Sequence, residues 1–198
     1  MARGRLIAFE GLDQSGKQTQ AEWLVQAFEA AGHTVRTVSF PDYTTSIGAE
    51  IGQALQGQRG YGPDVLQLLY IANRYEHAPA IRQWLGEGAI VVADRYAASS
   101  LAYGDAQGLD LAWLTDVQRH LPPADVIFLL DIAPETSLER KRAARDKFER
   151  DLPLLSRVRA SYQRQAMAPA WCSLDGNRPP DAVRADVLSA VRARLGLL

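Results

Sequence analysis

Cysteine is nearly absent from this chain. Cys172 is the only one in 198 residues, so no internal disulfide and no cysteine-rich zinc cage can form. It sits in the apolar stretch AWCSL and reads as a buried structural thiol. A surplus of charge is missing as well. Lys and Arg number 22 against 23 Asp and Glu, a formal net charge of −1, which argues against a protein whose main work is coating nucleic acid or an anionic membrane. No apolar stretch approaches the length of a membrane span, and the run in MARGRLIAFEG is too short for a secretory signal. The expectation is a cytoplasmic protein with no membrane or nucleic-acid partner. Low-complexity tracts, internal repeats and linkers are lacking too, and with 47% hydrophobic and 23% charged residues the chain reads as one globular domain over 1–198.

Five short apolar runs punctuate the sequence: RLIAFE (5–10), VRTVSF (35–40), AIVVAD (89–94), VIFLLD (126–131) and AWCSLD (170–175). They are continuous, as expected of strands covered on both faces. Helical periods separate them, with Leu24, Ala27, Phe28 and Ala31 at i, i+3, i+4 and i+7, and Val183, Val187, Val191 and Leu195 at every fourth position. Strand then helix, repeated, predicts an α/β fold with a five-stranded parallel sheet flanked by helices in three layers. The insert between the second and third runs holds a segment at 64–85 that is apolar nearly all round and reads as a buried helix.

The first strand ends at Glu10 and runs into GLDQSGKQTQ, where Gly11, Gly16 and Lys17 fit the phosphate-loop spacing G-x-x-x-x-G-K. Two glycines let backbone N–H groups converge on phosphate oxygens, Lys17 adds a point charge, and the helix starting there turns its positive end to the same anion. Residues Gly11, Leu12, Asp13, Gln14, Ser15, Gly16, Lys17, Gln18 and Thr19 therefore form the candidate nucleotide cradle. Gln18 stands where Ser or Thr usually binds Mg²⁺, which leaves the direct metal ligand open, with Thr19 one position late. The strand before and the amphipathic helix after favour a true phosphate loop over a plain glycine turn.

The third strand ends in Asp94-Arg95-Tyr96, at the edge where an open parallel sheet forms its ligand crevice. Asp94 there suits Mg²⁺ held through water, and Arg95 suits a bridge between phosphates; the plain alternative is a surface ion pair. Tyr70 and Arg74 are i, i+4 neighbours on one helix face, fit for stacking on a planar base and bonding its exocyclic oxygen, or simply for a core tyrosine beside a snorkelling arginine.

With these segments in order, the sequence resembles the thymidylate kinase family of P-loop nucleoside monophosphate kinases. The resemblance rests on GLDQSGKQTQ, FPDYTTSIG (40–48), LLYIANRYEH (68–77), DRYAASSLAYG (94–104) and LPPADVIFLLD (121–131), five motifs in register over nearly the whole chain. It implies transfer of the ATP γ-phosphate to dTMP, with Mg²⁺, a mobile lid at about 137–151, and a homodimer. It implies that Asp13 lies by the acceptor sugar, and that Phe40 and Pro41 line the dTMP site. By the same likeness Tyr70 stacks on thymine, Arg74 reads its oxygen and Arg95 grips the acceptor phosphate. Ser99 and Ser100 then border the base edge, while Tyr103 crowds the sugar 2′ position.

The chain departs from relatives at several positions. Where some carry a catalytic arginine after Asp13 this chain has Gln14, so the lid, SLERKRAARDKFERD (137–151), is expected to supply it through Arg142, Arg145 or Arg150. Asp42-Tyr43 follow Phe40-Pro41 in place of an arginine, and Gly104 replaces a glutamine. Other readings are a kinase for a different pyrimidine nucleotide, a non-catalytic nucleotide-binding remnant, and a GTP switch. DAQG (105–108) fits the D-x-x-G string of such switches, but the chain has no N-K-x-D guanine signature. The loop 175–181 either borders the adenine or is a surface turn.

Overall fold

A computed structural model describes residues 3–140 and 151–198. Its strands are β1 (Arg5–Glu10), β2 (Val35–Ser39), β3 (Ile90–Asp94), β4 (Val126–Asp131) and β5 (Trp171–Asp175). They form one sheet in the order β2-β3-β1-β4-β5 with every pairing parallel. The helices are α1 (Lys17–Ala30), α2 (Ser46–Leu55), α3 (Pro63–Gly86), α4 (Ala97–Ala106), α5 (Leu111–Val117), α6 (Pro134–Arg140), α7 (Leu152–Gln165) and α8 (Pro180–Leu195).

Alternation along β1 explains the three layers. Ile7 and Phe9 face a core with Leu24 and Phe28 of α1 and Val183, Val187 and Val191 of α8. Leu6 and Ala8 face the opposite core, with Ala78, Ile81 and Leu85 of α3. A third cluster joins Ala98, Ala102 and Ala106 of α4 to Leu154, Leu155, Val158 and Tyr162 of α7. The small side chains of α4 let α7 approach closely. Each wholly buried residue of Leu or Phe size contributes about 1.5–3 kcal/mol, so β1, closed to solvent from Leu6 to Glu10, anchors the sheet.

Three expectations need correcting. The edge strand β2 is not covered on both faces: Arg36, Thr37 and Ser39 are exposed, since only β3 pairs with it. Helix α3 is buried along one side only, with Val65 41% and Leu68 42% exposed, because nothing packs over its outer N-terminal face among the described residues. Cys172 lies on the other edge strand, β5, and is half-buried rather than buried; that burial still pushes its thiol pKa up. Helix α3 also runs through Pro79, which supplies no N–H to the turn before it.

Candidate active site

The turn after β1 is built on left-handed backbone. Gly11 has φ 137°, and a Cβ there would stand 2.5 Å from the carbonyl oxygen of Leu130 on β4, so only glycine lets the loop cross the sheet edge. Gln14 (φ 59°) and Gly16 (φ 94°) continue the curl into α1. Gly16 offers no side-chain cap, which leaves the first-turn N–H groups of α1 facing the loop. Lys17 is 6% exposed, and its Nζ donates to Leu12 O (2.7 Å) and reaches Ser15 Oγ at 3.5 Å. Burial and then the Arg95 charge lower its pKa to about 8, against the pull of Asp13, Asp94 and Glu10.

Helix α6 braces this loop from outside. Ser137 Oγ donates to Asp13 O at 2.7 Å, and Arg140 Nη1 donates to Gln14 O and Gly176 O, each at 3.1 Å. The first residues of the expected lid are therefore bound to the phosphate loop. Arg142, Arg145 and Arg150 lie outside the described residues.

Across the crevice, Arg95 immediately follows β3 with φ 61°. Its Nη1 donates to Gly11 O at 3.0 Å, and its Nη2 is paired with Asp13. Burial works against the Arg95 charge, but the electrostatic pull of Asp13, then of Tyr103, Tyr162 and Asp94, outweighs it and raises the pKa well above the usual arginine value. Arg74, 2% exposed, donates from Nη1 to Ser100 Oγ at 2.7 Å, while its Nε has no partner. One cavity is lined by Asp13, Phe40, Pro41, Tyr43, Leu55, Gln67, Tyr70, Arg74, Arg95, Ser99, Ser100 and Tyr103. All the residues expected to hold an acceptor nucleotide converge there, with Asp13 and Arg95 at the end nearest the loop.

Some placements differ from the sequence reading. Gln18 is exposed and its amide donates to Glu22 Oε1 at 2.9 Å, so it does not turn toward a metal; Thr19 is exposed too. Asp94 keeps one buried oxygen, Oδ1, without a partner, which fits a cation held through water, although no group of three or more His, Cys, Asp or Glu among the described residues is arranged to hold a metal directly. Asp42, which stands in place of the relatives' arginine, accepts from Thr44 N (2.9 Å) and Thr44 Oγ1 (2.7 Å). Asp105 of DAQG closes α4 and pairs with Arg164, and the string ends in a turn at Gly108, φ 83°. Among the described residues nothing connects it to the phosphate loop.

Sequence reasoning missed the residues that hold the cavity in shape. Asn73 is completely buried. Its Oδ1 accepts from Asp42 N (2.8 Å), and its Nδ2 reaches Asp42 O (3.3 Å), Thr45 Oγ1 (3.0 Å) and Glu76 Oε2 (2.9 Å), clamping the 40–45 turn to α3. It lay inside LLYIANRYEH, yet nothing in that string sets its amide apart. Gly48 lets α2 touch the same turn, since a Cβ there would meet Asp42 O at 1.7 Å. Gln67, Leu55 and Tyr43 also line the cavity, and Glu10 and Tyr162 lie buried beside Arg95.

The chain matches the thymidylate kinase family over residues 9–187. It belongs to that family. It is 31% identical to the thymidylate kinase of Dictyostelium discoideum over 188 residues, covering 94% of this chain and 84% of the relative. Identity to the Schizosaccharomyces pombe thymidylate kinase is 35% over 162 residues (82% and 77%), and to the Homo sapiens thymidylate kinase 31% over 187 residues (93% and 88%). A solved Candida albicans thymidylate kinase, described as revealing the origin of that enzyme's broad substrate specificity, superposes with TM-score 0.83 at 26% identity, covering 98% of this chain and 93% of the other. As a member of the thymidylate kinase family the chain is a nucleotide-binding phosphotransferase with the P-loop NTPase fold.

Proposed function

We propose that this chain transfers the γ-phosphate of ATP to dTMP, giving dTDP and ADP, as a single kinase unit with its phosphate loop at 11–19. The observation that carries the reading is the cavity in which Tyr70, Arg74, Ser100 and Tyr103 surround a base-sized space while Arg95 and Asp13 stand at the phosphate-loop end. Tyr70 gives thymine a ring to stack on, and Arg74 Nε, buried and unpartnered, is a donor awaiting an acceptor. Tyr103 beside the sugar favours deoxyribose. Asp13 lies near the acceptor 3′-hydroxyl, and the Arg95 guanidinium leans on it until the acceptor phosphate arrives.

The loop N–H groups and Lys17 hold the ATP phosphates, and Arg95 presents the dTMP phosphate oxygen to the γ-phosphorus. That oxygen is already anionic at neutral pH, so the site needs no strong general base, and in-line transfer proceeds without a phosphoenzyme. Mg²⁺, held by Asp94 through water, would shield charge between the β- and γ-phosphates. Arg142, Arg145 and Arg150 are the proposed sources of a further transition-state cation. We also propose a homodimer, supported by the apolar, exposed Val65 and Leu68 on α3, and a cytoplasmic setting, consistent with the absence among described residues of a helix able to cross a membrane.

A coupled ADP-release assay with ATP, Mg²⁺ and a panel of dTMP, dUMP, dCMP, dGMP and AMP tests the reading. Release dependent on dTMP and weak with the others is the expected result. Release independent of any acceptor, or silence with all of them, overturns it.

A further inference from the structure

Glu10 is the last residue of β1 and the only charged group of that strand's interior, with no exposure to solvent. The transfer described above gives it no task. Its carboxylate accepts three hydrogen bonds: Tyr96 N at 2.8 Å, Ser99 Oγ at 2.6 Å and Tyr162 OH at 3.0 Å. The two hydroxyls are 2.9 Å apart, and Arg95 Nη1 stands over both, at 3.5 Å from Ser99 Oγ and 3.4 Å from Tyr162 OH. Arg95 has the left-handed backbone that a non-glycine residue adopts only when its surroundings enforce it. Enforcement comes from both sides, because Arg95 N donates to Phe9 O at 2.9 Å and the next N–H, that of Tyr96, is bound to Glu10.

We infer that Glu10 is a positioning residue for Arg95. Its carboxylate fixes the turn of the backbone through Tyr96 N–H and draws the Ser99 and Tyr162 protons away from the guanidinium, leaving their lone pairs toward Arg95 and the arginine preset for an acceptor phosphate. The inference rests on the proposed function of the site. A carboxylate closed to water is costly unless it is paired and hydrogen-bonded: burial, the largest effect, leaves the Glu10 pKa above the usual carboxylate value, and the Ser99 and Tyr96 donors with the charges of Arg95 and Arg74 oppose that push only in part.

Replacing Glu10 by glutamine separates this role from simple packing. The Gln amide keeps the shape and still accepts from Tyr96 N–H, but its NH₂ donates to Ser99 and Tyr162 and turns their protons toward Arg95. Glu10→Gln is expected to weaken equilibrium binding of dTMP about tenfold, equivalent to about 1.4 kcal/mol. Thymidine, which lacks the phosphate, should bind within about twofold of its wild-type affinity. In an Arg95→Ala background the Gln substitution should add less than about twofold, because the two residues act as a unit. Equal weakening of dTMP and thymidine, no weakening of either, or full additivity with Arg95→Ala overturns the inference. If Glu10→Gln does not fold, Tyr162→Phe removes one hydroxyl and keeps the ring; a loss for dTMP alone supports the inference, and any other pattern overturns it. Wild-type protein that fails to turn over dTMP overturns the substrate reading instead, so the two failures are distinct.

Discussion

Asn73→Ala probes how the cavity wall is held. The wild-type amide is wholly buried and joins α3 to the turn carrying Phe40 and Pro41. Truncation leaves Asp42 N without its 2.8 Å acceptor, while Asp42 O loses the Asn73 amide but keeps Thr45 N (3.4 Å) and Thr45 Oγ1 (3.2 Å). Thr45 Oγ1 is only partly affected, since it still donates to Glu76 Oε2 at 2.8 Å. Truncation removes the bond from Asp42 N and the two that Nδ2 can share among Asp42 O, Thr45 Oγ1 and Glu76 Oε2; at about 1 kcal/mol each, with Thr45 and Glu76 still paired to one another, the destabilisation is about 2–3 kcal/mol. For a chain of this size that lowers Tm by roughly 5–10 °C. The turn that forms one side of the acceptor site also loses its anchor, so KM for dTMP should rise on the order of tenfold. Thermal melts, a urea titration with unchanged slope and an ADP-release titration against dTMP measure the two effects together. A Tm within about 1 °C of wild type would falsify the burial argument. A lowered Tm with an unchanged KM would refute the link between this clamp and the site.

Two further substitutions act on the same turn. Gly48→Ala places a methyl 1.7 Å from Asp42 O, a backbone atom that cannot step aside, so the variant should lose dTMP turnover at least as severely as Asn73→Ala; wild-type KM and Tm would contradict the contact. Asp42 carries a pKa held below the usual carboxylate value, chiefly by the Thr44 hydroxyl and N–H and then by His77. A depressed folded pKa means stability present above the unfolded value of 3.8 and lost as pH falls through the folded pKa. The Tm gap between wild type and Asp42→Asn, read from pH 6 down to pH 2.5, should narrow at the acid end, and a constant gap would refute the assignment.

The strands were legible because each is a short β-rich run ending where the chemistry starts, and parallel pairing keeps central strands apolar throughout. Edge position was not legible: VRTVSF and AIVVAD look alike until the sheet order leaves β2 with one neighbour. The phosphate loop showed itself because its glycines, lysine and helix are consecutive. Asn73, Glu10 and Tyr162 did not, since their partners lie on other elements; Tyr162 comes 67 residues after the Arg95 it supports. A buried amide or carboxylate acquires its meaning from three-dimensional neighbours, and a single sequence does not name them.

The sheet order also sets a schedule for synthesis. β1 occupies the centre, but its partners come late: Arg5 pairs with Ile90, and Ile7 with Val126. At roughly 5–20 residues per second, a nascent chain holds the unpaired segment LIAF for several seconds before β3 has left the ribosome, and longer before β4 follows. All four pairings join distant segments, so little of the sheet forms early. Expression yield should therefore respond to translation speed and chaperone supply more than to substitutions on the exposed faces of the finished enzyme.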